Sequence, residues 1–306
     1  MAEAGKSDNP QANAGHGPEV DEVTGYATTG HEWDGIRELN RPLPRWWLWT
    51  FYATIVFAIG YVVLYPGIPL IGGGTEGLLG YSTRAEVQNE IDLAQQAQAG
   101  LRDQIANLPI EQIRANADLE RFAVAGGRSA FLVNCIQCHG TGAAGSKGYP
   151  NLNDDDWLWG GTLEEIYHSI AYGIRSDHPE AHLSEMPSFD GILTRPQMVA
   201  VANYVLSLSG RPHDAALAAE GGPIYAEPSN CSGCHGAGGE GDRTIGVPRL
   251  NDAIMLRGDT ADDIVRQMIA PQHGVMPAWS GRLSDTVVKE LALYVYSLGG
   301  GAAATQ

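Results

Sequence analysis

An all-α chain is predicted, with a single membrane-crossing helix, a helical connector and two small helical modules in tandem. Three observations lead there. Residues 46–65 form an apolar run without a charge. Residues 87–108 place apolar side chains at spacings of three and four, one face of a helix. The C-terminal half carries one pattern twice, a C-x-x-C-H run followed by a Pro-x-Leu-Asn segment, a Met-Pro pair and a Tyr-containing helix, and such internal repetition marks repeated folding units.

Residues 1–35 are rich in Gly, Ala, Asn, Asp and Glu with no apolar period and read as a structureless tail. Residues 36–66 hold the span. Its apolar residues 46–65, at 1.5 Å rise, match a hydrocarbon core of about 30 Å. Trp46, Trp47 and Trp49 at one end and Tyr61 and Tyr65 at the other resemble interfacial aromatic belts. A cleaved signal peptide would begin close to residue 1, so the segment reads as an uncleaved anchor. Arg37, Arg41 and Arg45 flank its N-terminal side and only Arg84 lies close on the other. That asymmetry places the N-terminus in the cytoplasm and the remainder outside.

The connector, residues 67–122, opens with Thr83 and Glu86 in capping-box spacing. Val87, Ile91, Ala94, Ala97, Leu101, Ile105 and Leu108 then form a stripe that stops before Pro109. A second helix is expected from Ile110 to about Val124. The stripe can pack on the chain's own modules or on a partner; the pattern leaves both open.

Cys135-Ile-Gln-Cys138-His139 and Cys231-Ser-Gly-Cys234-His235 contain all four cysteines of the chain, and each runs on into glycine, Gly140 and Gly236. C-x-x-C-H is the attachment run of a c-type haem. Residues three apart share a helix face, so both sulfurs can reach the two vinyl groups of one porphyrin while the adjacent His turns to the iron. Two covalent haem c groups follow, on Cys135 and Cys138 and on Cys231 and Cys234, with His139 and His235 as axial ligands. Pro150-Asn-Leu-Asn153 recurs as Pro248-Arg-Leu-Asn251, and Asn203-Tyr-Val-Leu-Ser-Leu-Ser-Gly210 as Leu293-Tyr-Val-Tyr-Ser-Leu-Gly-Gly300. The modules are bounded at 123–211 and 212–300, with a tail at 301–306. The pattern resembles class I cytochrome c, so each module needs a distal Met, and Met/His ligation raises the reduction potential. Met186 and Met276 each precede a proline and lie eighteen residues before the repeat tyrosines, Tyr204 and Tyr294. Whether each serves its own module is left open. Met198, Met255 and Met268 fall in helical patterns and read as core, and Met1 as the initiator. His168, His178, His182 and His273 are competing distal candidates. Pro150 and Pro248 match the position whose carbonyl accepts the proximal imidazole N–H in cytochromes c. The first module has eight more residues between its Pro and Met than the second, around Arg175 to Glu185.

The net charge is −17 and is spread along the chain. This argues against nucleic acid as a partner and favours encounter with a basic redox protein. Asp154 to Asp156, the densest acidic run, reads as a loop.

The stretch from Glu32 to Trp49, with Asp34-Gly-Ile36 and Arg41-Pro-Leu-Pro-Arg-Trp-Trp-Leu-Trp49, closely resembles the N-terminal signature of the CcoP/FixP family. These are the membrane-anchored dihaem subunits of cbb3-type cytochrome c oxidases. The resemblance covers essentially the whole chain. It implies an electron-transfer subunit of the bacterial inner membrane with periplasmic haem domains. Electrons would come from periplasmic c-type cytochromes or the bc1 complex and leave, through a mono-haem subunit, to a haem b and copper subunit that reduces oxygen and pumps protons. No catalytic residue is expected on this chain. A free-standing membrane-anchored dihaem shuttle is the alternative reading. A dihaem enzyme such as a peroxidase would need an open sixth position, against which the two Met-Pro turns argue.

Overall fold

A computed structural model describes residues 19–302, which divide into two units meeting between Leu93 and Ala94. In the first unit, β1 (Thr28–Trp33) and β2 (Ile36–Leu39) form an antiparallel hairpin with Trp33 opposite Ile36. Its turn is Asp34-Gly35, both at positive φ (47° and 84°), which is the residue pair and conformation a two-residue hairpin turn requires. Arg37 joins it by ion pairs to Glu19 and Glu32. The structureless segment predicted up to residue 35 is therefore ordered in part. A tight turn and cross-strand ion pairs leave no mark in composition. Residues 1–18 and 303–306, with Met1 and the last four residues of the expected tail, lie outside the described residues. Among the described residues the all-α expectation is amended by this hairpin and by the short pair β3 (Pro69–Leu70) and β4 (Gly73–Gly74).

Between them runs α1 (Arg45–Leu64), whose twenty residues include none that is buried. At 1.5 Å per residue it spans about 30 Å, and it is long and apolar enough to cross a membrane. The connector helix α2 (Thr83–Asn107) starts one residue earlier than a Thr83 cap requires. The Ser82 hydroxyl accepts from Ala85 N at 3.4 Å, and Glu86 takes the Tyr81 hydroxyl instead of closing a capping box.

In the second unit the stripe of α2 is used only at its C-terminal end. Ile105 is fully buried and Leu101 and Leu108 pack on the same core, while Val87 and Ile91 stay exposed. Lys289 Nζ donates to the carbonyls of Ile105, Ala106 and Leu108 at 3.0–3.3 Å, filling carbonyls the helix end leaves open. The expected single helix from Ile110 is two, α3 (Ile110–Ala115) and α4 (Ala117–Asn134), because Asn116 turns out of the helix and its side chain caps α4. There follow α5 (Ile136–His139), α6 (Leu163–Tyr172), α7 (Arg195–Leu208), α8 (Ala215–Ala226), α9 (Ser232–His235), α10 (Ala261–Ile269) and α11 (Asp285–Ser297).

Two apolar cores form, and they do not coincide with the two sequence modules. The first joins α3, α4 and α6 to α11 and to Met276 and Trp279. The second joins α8 and α10 to α7 and to Met186 and Phe189. Each Met-Pro turn with its following helix has thus crossed to the other repeat. The expected boundary at residue 211 divides the repeats in sequence but not the cores in space. Glycine notches permit the crossings. A Cβ at Gly127 of α4 would overlap the Glu290 carbonyl of α11, and one at Gly221 of α8 would overlap the Ala200 carbonyl of α7. One turn on, Phe131 meets Tyr294 with ring centroids 5.3 Å apart, and Tyr225 meets Tyr204 at 5.1 Å.

Candidate haem sites

Helix α4 delivers the first attachment run. Cys135 ends it with its amide on Phe131 O at 2.9 Å, and α5 then holds His139, whose amide donates to Cys135 O at 3.0 Å. Gly140 at φ 75° stops the turn. The chain loops back so that His139 Nδ1 lies 3.2 Å from Pro150 O. The second run repeats this: His235 N donates to Cys231 O at 2.9 Å, and His235 Nδ1 lies 3.0 Å from Pro248 O. Both loops turn on a glycine at positive φ, Gly145 and Gly241, each donating to the preceding His carbonyl at 2.9 Å. The two proximal carbonyls predicted from Pro150 and Pro248 are therefore in place. With Nδ1 donating to a carbonyl, the neutral imidazole presents its Nε2 lone pair to a metal. Burial lowers the pKa of both rings, opposed by the carbonyl bond, which favours that neutral form.

Cys135 and His139 face a cavity whose walls include Phe131, Leu291, Met276 and Trp279. The thioether that shares a cavity with His139 is thus Met276, not Met186. Met186 packs on the core that contains Cys231. Backbone bonds fix this exchange. Trp279 N donates to Ile170 O at 3.2 Å, whereas Phe189 N, its counterpart in the other turn, donates to Met268 O at 2.8 Å. Before haem attachment, burial pushes the Cys135 and Cys231 thiols up to about 11. The donor set fits a c-type haem: a cysteine pair on one helical turn, an oriented imidazole, a thioether and apolar walls.

The four histidines read as competing distal candidates have partners. His168 Nδ1 and His182 Nε2 are 3.2 Å apart, His178 stacks on Tyr172, and His273 Nε2 accepts the Met186 amide at 3.0 Å. Met198 and Met268 are buried in the second core within α7 and α10, as their helical patterns predicted; Met255 packs on the same core but from a loop rather than the expected helix. Asp156, from the acidic run read as a loop, lines the first cavity, and burial raises its carboxyl. Its run of three gave no sign of that. The crossing of the Met turns left no signal in the repeats, since both copies carry the same pattern.

Comparison with known proteins adds the family. The model for the N-terminal domain of cytochrome oxidase-cbb3, FixP, matches residues 25–72. The model for cytochrome c oxidase, cbb3-type, subunit III, matches residues 122–205 and 216–295. Among relatives, the cbb3-type cytochrome c oxidase subunit FixP of Rhizobium meliloti is 54% identical over 92% of this chain and 97% of its own length. FixP of Sinorhizobium medicae is 56% identical over the same shares, and CcoP of Cereibacter sphaeroides 50% over 90% and 95%. The chain belongs to the FixP/CcoP family. It is a cytochrome c subunit of the cbb3-type oxidase class, with two cytochrome c domains in tandem and covalently bound haem c. The hairpin on Asp34 and Gly35 and helix α1 both fall within the matched N-terminal domain, so the FixP/CcoP resemblance at Glu32–Trp49 rests on an ordered element followed by the candidate span.

Proposed function

We propose that this chain is the dihaem electron-transfer subunit of a cbb3-type cytochrome c oxidase. One haem c is bonded to Cys135 and Cys138 with His139 and Met276 as axial ligands. The other is bonded to Cys231 and Cys234 with His235 and Met186. The observation that carries the reading is the cavity shared by Cys135, His139 and Met276, with the His139 ring held on the Pro150 carbonyl. When bound, the haem iron supplies one-electron chemistry, cycling between ferrous and ferric.

The chain's own residues set the conditions for it. The Pro150 and Pro248 carbonyls orient the two imidazoles. Met276 and Met186 would supply thioethers to the two irons and leave no position open to a substrate, so the chemistry would be outer-sphere electron transfer. The apolar walls exclude water, and ligand, burial and hydrogen bonding together set the potential. In this reading helix α1 anchors the chain in the bacterial inner membrane, and the basic N-terminal flank supports a periplasmic location for the haem domains. Electrons enter from a c-type cytochrome or the bc1 complex. They leave through the mono-haem subunit to the haem b and copper subunit.

Mass spectrometry of the mature chain tests the first part, with two added haem masses expected on the four cysteines; none would end the reading. Mild detergent purification of the native complex tests the second. A pyridine haemochrome spectrum with both c- and b-type haem is expected, and c-type alone at every detergent condition would favour the free-standing shuttle.

A further inference from the structure

Alignment of the repeats on Pro150 and Pro248 makes Trp159 and Arg257 equivalent, each nine residues on, and Gly148 and Gly246 equivalent, each two residues before. In the structure these four residues meet crosswise. The Trp159 indole lies on Gly246, so close that a Cβ there would overlap its Cε2 and Cζ2. The Arg257 guanidinium lies on Gly148, with Nη1 2.9 Å from where a Cβ would stand, and Gly148 N donates to Leu256 O at 2.8 Å. The loop that carries each proximal carbonyl is therefore pressed against the other repeat. The two contacts differ in kind, an aromatic ring in one and a guanidinium in the other.

Trp159 has two further properties. It is a wall of the cavity that holds Cys135, His139 and Met276. One face of its ring stacks on His182 at 4.2 Å and 13°, and His182 is tied to His168, so the indole has little freedom to leave its place. A single rigid π-system thus touches the first cavity and the backbone two residues before Pro248, whose carbonyl holds His235. Electronic coupling decays more slowly through bonded atoms and van der Waals contacts than through a gap. The Trp159 indole fills with bonded atoms the space between the wall of the first cavity and the Gly246 backbone.

We propose that Trp159 is the side chain through which the two haem sites exchange electrons. The inference rests on the dihaem reading above. In each event one ferrous iron is oxidised to ferric and the other ferric iron is reduced to ferrous. One electron moves, no proton moves, and the indole is neither oxidised nor reduced.

The test is proton NMR exchange spectroscopy on the full chain in detergent, poised half-reduced, with Trp159→Phe and Trp159→Leu beside the unaltered protein. Phenylalanine keeps a ring beside His182 but withdraws the Cε2, Cζ2 and Nε1 edge from Gly246. Two sets of haem methyl resonances in the fully oxidised chain check the dihaem reading separately; their absence defeats that reading. With both sets present, loss of the exchange cross-peaks in Trp159→Phe is the expected result, beyond the change that any measured shift in the two midpoint potentials accounts for. Undiminished cross-peaks in Trp159→Phe overturn the proposal. Should Trp159→Leu fail to keep both haem groups, the Phe chain decides alone. A ring that merely filled space would leave the exchange rate untouched while both sets of resonances persisted.

Discussion

Ile174 and Met276, a hundred and two residues apart in the chain, exchange two backbone hydrogen bonds, Ile174 N to Met276 O at 2.9 Å and Met276 N to Ile174 O at 3.0 Å. This bridge fastens the Met-Pro turn of the second repeat to the end of α6 in the first. Arg175 strengthens it, with Nε donating to Gly274 O at 2.6 Å and Nη1 to Ser184 O at 2.8 Å. The thioether beside His139 is set by these bonds and not by sequence proximity.

Ligand exchange is testable in chains that keep one attachment run. With Cys231 and Cys234 both changed to Ala, Met276→Leu should abolish the iron–thioether charge-transfer band and lower the remaining haem's potential, because a thioether ligand raises it. Met186→Leu should leave that haem unaltered. The opposite outcome would restore pairing within each repeat.

Glu290 is 2% exposed, its Oε1 has no hydrogen-bond partner, and burial raises its carboxyl above the usual range, with Arg102 only partly opposing. The folded state then holds this proton more tightly than the unfolded chain, so stability is lost as pH rises from the ordinary carboxylate value through the raised one. Glu290→Gln should flatten that decline and melt higher than the unaltered chain above the window. Thermal melts between about pH 4 and pH 8 measure it. Equal slopes for the two proteins would refute the assignment.

Lys289 satisfies the end of α2 and pairs with Asp285 at 2.9 Å. Lys289→Ala should cost about 1.5–3 kcal/mol, the range for hydrogen bonds to a charged group. Amide exchange should rise first in residues 101–108. Unchanged protection there would show that water replaces the ammonium without cost.

The notch at Gly127 faces backbone, which cannot swing aside as a side chain could. Gly127→Ala should therefore destabilise by roughly 1–3 kcal/mol as the helices are forced apart. Gly221→Ala should do the same to the other core. Chemical denaturation reads both, and a gain in stability, as expected for Ala in an unconstrained helix, would contradict the close crossing.

Much of the site was legible because its chemistry is local. The Cys-x-x-Cys-His spacing, the Pro150 and Pro248 carbonyls and the two Met-Pro turns are short-range features whose residue types state their role. Asp156 and Trp159 were not legible: an acidic run and an aromatic loop residue acquire meaning only from what folds over them. The hairpin at Asp34 and Gly35 was missed because polar strands held by ion pairs have the composition of a tail. The connector stripe was read correctly as one face, yet only Leu101, Ile105 and Leu108 found a core to cover it.

The amino-acid order alone determined the candidate membrane span, the two attachment runs, their proximal carbonyls and the family, since each is a pattern of neighbouring residues. The tertiary structure decided which Met-Pro turn lines the cavity of His139 and which packs on the core of Cys231. The repeats present nearly the same complementary surfaces, a glycine notch and an aromatic on one helix and a carbonyl and tyrosine on the other, so either pairing satisfies the local pattern. The choice between them comes from long-range contacts such as the Arg175 clamp and the Ile174–Met276 bridge, which exist only once the chain has folded.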